Sequence, residues 1–78
     1  MDIKIINPKN KTIVKRAVEW LKKYNEFDNQ RNIADGNGDE KLWSKLNNKC
    51  EMSYDKFMCL MEELPKNQQK IIYNSNLY

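Results

Sequence analysis

Between Thr12 and Asp28 the apolar side chains Ile13, Val14, Ala17, Val18, Leu21 and Tyr24 recur at three- and four-residue spacings. That period is the mark of a helix with one buried stripe. Trp20 and Phe27 widen the stripe beyond what a single neighbouring helix covers. Asn7 is suited to cap the helix and Pro8 to fill its first turn, with Thr12 a later rival cap, so a helix is predicted over 8–28.

Asn32 to Asp39 holds both glycines, and Asp35-Gly36-Asn37-Gly38 is two turn dipeptides in succession, so this segment reads as a loop. Asp39 is placed to cap a second helix over 39–49, with Glu40 near its positive end and Leu42, Trp43 and Leu46 on its apolar face. Asn47-Asn48 weakens that helix. Ser53 then offers a third start, flanked by Met52 and Phe57 in the positions of a hydrophobic staple, for a helix over 54–64 carrying Tyr54, Phe57, Met58, Leu60, Met61 and Leu64. Pro65 stops it and is suited to open a fourth, weaker helix over 65–74 with Ile71 and Ile72. In residues 1–7, Ile3, Ile5 and Ile6 surround Lys4. A strand there needs an edge from a second chain, so these residues are read as an extended arm lying against the helices. The expected fold is all-α: one small domain of three to four helices with a short extended N-terminal arm.

Composition adds limits. Seventy-eight residues hold one domain with a thin core, so a disulfide, a metal or oligomerisation would each help. Cys50 and Cys59 are the only cysteines, and no segment resembles a secretion signal, so they are expected as reduced thiols in a cytoplasmic protein. No apolar run is long enough to span a membrane.

Catalytic and metal chemistry find little support. With no histidine, two thiolates cannot close a structural zinc site, and neither thiol has an obvious base. Asp35, Asn37 and Asp39 take the first three spacings of a calcium loop, but Glu40 stands where its glycine belongs and Leu46 where its bidentate glutamate belongs. Glu62 and Glu63 are adjacent, so a helix splays them about 100° apart. No glycine-rich phosphate loop is present. The chain is expected to be no enzyme and to carry neither metal nor cofactor.

Charge is the positive signal. Residues 1–25 carry seven Lys/Arg against two Asp/Glu, whereas residues 26–63 carry five against nine. Lys11, Lys15 and Lys22 share one helical face, and Arg16 and Lys23 an adjoining one. With Trp20 and Tyr24 as aromatic anchors, these residues form the expected binding surface for a larger protein with an acidic face. Tyr73 with Tyr78 is the next aromatic cluster, suited to a protein partner or a homodimer. The alternative partner is nucleic acid, met by the same basic helix or by a helix-turn-helix-like pair over 54–74 in which Lys66, Asn67, Gln68, Gln69 and Lys70 face the duplex. Against this stand the scarcity of arginine, two of fourteen basic residues, and the modest net charge of +3.

Lysine and asparagine fill 23 of 78 positions. This short, Lys/Asn-rich helical chain without enzymatic residues resembles, in style and not by motif, small accessory proteins of phages and mobile elements. The resemblance implies a stoichiometric inhibitor or modulator that occludes a host protein or complex, in an anti-defence or host-takeover role.

Overall fold

A computed structural model describes residues 3–75, which contain helices and turns and no strand. Helix α1 spans Lys11–Gly36, α2 spans Glu40–Glu62 and α3 spans Lys66–Tyr73, preceded by one 3-10 turn at Pro8–Asn10. Asn7 does cap, its side chain accepting the Lys9 N–H at 3.1 Å, but what it starts is the 3-10 turn, and the α-helix follows from Lys11.

Two boundaries differ from those predicted. The first helix does not end near Asp28, and most of the expected loop 32–39 is its last turns. Ala34 is buried there, and Arg31 pairs with Asp28 one turn back, so burial and a local ion pair carry the helix through a polar stretch. Gly36 keeps helical backbone and only Gly38 turns left-handed, at φ 72°. Asp39 N–H donates to Ala34 C=O at 3.0 Å and Gly38 N–H to Asp35 C=O at 3.1 Å, the paired bonds of a Schellman ending. Asp39 then caps α2 as expected, its carboxylate accepting the Leu42 N–H at 3.1 Å. The connection between two long antiparallel helices is therefore only three residues, Asn37 to Asp39.

The second difference is that the predicted helices 39–49 and 54–64 are one. Ser53 caps nothing: it is fully buried in mid-helix, and Met52, the supposed staple, faces outward. Leu46, Cys50, Ser53, Phe57 and Met61 form one unbroken stripe at three- and four-residue spacings. Two asparagines in a helix interior cost only about 0.7 kcal/mol each relative to alanine. Burying that stripe against α1 outweighs them, so the described residues form three α-helices, two of them long.

Pro65 sits outside α3 as its N-cap, with extended backbone, and α3 starts one residue later than predicted. α3 and the arm close the same end of the hairpin. Val14, Ala17, Val18 and Leu21 meet Phe57, Met61, Leu64 and Ile72 there, with Ile3, Ile5, Trp20, Tyr54 and Tyr73 packed around them. Toward the hairpin tip the buried apolar residues thin to Cys50, Leu46 and Ala34. The molecule is a rod of 45 × 20 × 16 Å, with a radius of gyration of 14.2 Å against about 11–12 Å for a compact chain of this length.

Candidate functional site

The regular period of α1 places Lys11, Lys15 and Lys22 along one exposed side, and the arm crosses beside them. Together they build a groove of about 260 Å³ lined by Ile5, Lys11, Lys15, Val18, Glu19 and Lys22. Its floor is apolar, from Val18 of the core and Ile5 of the arm, and its rim is charged.

The other residues expected at this surface lie elsewhere. Arg16 is exposed on the adjoining strip with Trp20 and Lys23. Trp20 is half-buried against the core, and the Lys23 ammonium covers its ring at 4.6 Å from the centroid. That stacking satisfies the ring within the chain. Tyr24 turns into the interhelical side, 5.3 Å from Tyr54, and Tyr54 in turn lies 6.1 Å from Phe57. Trp20 and Tyr24 are thus packing residues and not an exposed pair. Tyr73 is likewise half-buried, 6.4 Å from Phe57, and Tyr78 lies outside the described residues. Among the described residues, the large apolar side chains that do reach solvent are Ile6, Ile33, Leu42, Trp43 and Met52. Sequence reasoning missed Ile33 by assigning it to a loop; its spacing of eleven from Lys22, three helical turns, was the available signal.

In helix α3 the two glutamines are turned inward. Gln68 is fully buried: its amide donates to Lys4 C=O at 2.8 Å and accepts the Ile6 N–H at 2.9 Å. Gln69 turns back to donate to the Met61 and Leu64 carbonyls at 2.7 and 2.8 Å, satisfying the end of α2. Asn67 accepts the Gln68 N–H at 2.9 Å, which leaves only Lys66 and Lys70 pointing outward without such a structural task. The expected Gln68 contact to nucleic acid is corrected accordingly: the side chain is spent on holding the arm.

A second, larger cleft of about 530 Å³ opens between α1 and α2, lined by residues that include Tyr24, Arg31, Cys50 and Tyr54. Arg31 is already engaged, donating to the Asp28 carboxylate at 2.5 Å and to the Asn47 side-chain oxygen at 2.6 Å. Burial pushes the Cys50 thiol above its ordinary pKa, the Arg31 charge opposes this, and Asp28 and Glu51 add to it. A thiol held protonated is a poor nucleophile. Cys59, nine residues on, is exposed.

Compared with known proteins, the chain matches no family model, no curated protein and no solved structure.

Proposed function

We propose that this protein is a non-enzymatic binding protein whose α1 groove receives an acidic, partly apolar segment of a larger protein partner. The observation that carries this reading is the combination of an apolar floor, Ile5 and Val18, with a rim in which Lys11, Lys15 and Lys22 outnumber the single carboxylate, Glu19. A surface made only for phosphates needs the cations and not the floor. A protein interface needs both, an apolar centre for residence time and charge around it for steering and register. Arg16 and Lys23 extend the basic field around the rod toward the same end and raise the encounter rate. Bound along one face of its partner, such a helical rod acts by occlusion. An inhibitor or modulator of a host complex, of the kind phage and mobile-element accessory proteins supply, is the cytoplasmic role that fits.

The test is fluorescence anisotropy of a labelled acidic amphipathic helical peptide, and separately of random-sequence duplex DNA and RNA, each at two salt concentrations. Peptide binding that Lys11→Glu, Lys15→Glu and Lys22→Glu together weaken tenfold or more, with unchanged circular dichroism, supports the groove. Tight nucleic-acid binding with a steep salt dependence, and none of the peptide, transfers the function to the basic helix as a phosphate-binding surface.

A further inference from the structure

The outer face of α1 carries more than lysines. Lys11, Lys15, Glu19, Lys22, Glu26 and Ile33 all project from the same side of this helix, within an arc of about 80° at 3.6 residues per turn, and all are exposed. Read from its start, the strip is basic, then alternates acid and base, and ends on an apolar residue that is 64% exposed. Among the described residues the one ion pair is Arg31 with Asp28, so Lys15, Glu19, Lys22 and Glu26 hold no salt bridge to another described residue.

This strip is complementary to itself when reversed. An antiparallel second copy centred between residues 20 and 21 sets Lys15 opposite Glu26 and Glu19 opposite Lys22, and each pairing occurs twice across the two-fold axis. No other register pairs all four of these charges, and a parallel arrangement sets each against its like. In the same register Ile33 falls beside Pro8 of the second copy, next to Ile6, itself 43% exposed and anchored by the Gln68 clamp. Each end of the strip thus covers an apolar residue that the single chain leaves in water, and the charged centre sets orientation.

The geometry points to a homodimer: two copies of this chain associate through antiparallel α1 helices, with Lys15–Glu26 and Glu19–Lys22 pairs between them and Ile33 docked on the Ile6–Pro8 corner. This rests on the reading of the α1 face as a binding surface and names a second copy as its occupant. Self-pairing then competes with an acidic partner for Lys15 and Lys22, so the partner would meet the monomer.

Sedimentation velocity over the micromolar range, at low and high salt, tests it on the full chain. The wild type is expected to shift from monomer toward dimer with concentration, and less so at high salt. Lys15→Glu with Lys22→Glu, and separately Glu19→Lys with Glu26→Lys, should each leave a monomer. An equimolar mixture of the two doubly substituted proteins should associate again, at least tenfold more tightly than either alone, because the charges are exchanged across the same pairs. Ile33→Asp should weaken the wild-type dimer tenfold or more, while Lys41→Glu with Lys45→Glu, off the strip, should not. A wild type monomeric throughout, or a mixture no tighter than its components, overturns the dimer. Acidic-peptide binding by that monomer would still stand or fall separately, so the two failures are distinguishable.

Discussion

Gln68 and Ile6, sixty-two residues apart, are joined by a 2.9 Å hydrogen bond from the Ile6 N–H to the Gln68 side-chain oxygen. The same amide donates to Lys4 C=O at 2.8 Å, so one glutamine supplies both bonds that a neighbouring strand would give the arm. This clamp brings Ile5 to the floor of the lysine groove. Gln68→Leu keeps the volume and removes both bonds, leaving two partly buried backbone groups to find water or stay unpaired. It is expected to cost about 2–4 kcal/mol in urea unfolding. Hydrogen exchange at the Ile6 amide should accelerate in parallel. An unchanged midpoint with a still-protected Ile6 would mean that the isoleucines alone hold the arm.

The two glycines of the hairpin turn respond in opposite directions. Gly36 has helical backbone, and an added methyl meets nothing within 4 Å, so Gly36→Ala should raise stability by about 0.5–1 kcal/mol. Gly38 has equal room but a φ of 72°, and Gly38→Ala should lower stability by about 1 kcal/mol. Denaturation midpoints that move in the same direction for both would rule out this turn.

Ser53 distinguishes a continuous α2 from two separate helices by the sign of a single substitution. As a helix cap, Ser53→Ala would cost about 1 kcal/mol. Its hydroxyl is instead buried in mid-helix without a hydrogen-bond partner, so removing it relieves an uncompensated desolvation. Ser53→Ala should stabilise by about 1 kcal/mol, a rise of several degrees in Tm for a domain of this size. A fall in Tm of that size would restore the break that the sequence suggests.

What could be read in the sequence was local. The Val14–Leu21 stripe, the Asp39 cap and the stop before Pro65 each follow from residues within one or two turns. The lysine face was legible for the same reason, since a helical period fixes it once α1 exists. What could not be read depends on distant partners. Asn47 looks like a helix weakener until Arg31, sixteen residues earlier, donates to it. Gln68 looks like a base reader until the arm, sixty-four residues earlier, fills its hydrogen bonds. The groove floor needs Ile5 brought against α1, which no spacing in the chain announces. Continuity of α1 through residues 29–32 likewise depends on Ala34 finding burial in the folded hairpin.

The buried Cys50 thiol ties stability to alkaline pH. Burial raises its pKa in the folded protein above the unfolded value of about 8.5, so between those two values the folded chain holds a proton that the unfolded chain has lost. Stability is therefore full below the unfolded pKa and declines as pH rises from there toward the raised folded value. Cys50→Ala removes this dependence, so its unfolding midpoint should fall less than that of the wild type between about pH 7.5 and pH 9.5. The same burial separates the thiols kinetically: Cys59 should react at once with a disulfide reagent, and Cys50 only at the rate at which α1 and α2 part. Arg31→Ala removes the charge that opposes the shift and should steepen the alkaline loss. Two thiols reacting at one rate, or identical pH profiles for wild type and Cys50→Ala, would place Cys50 in water and undo the seam between the two long helices.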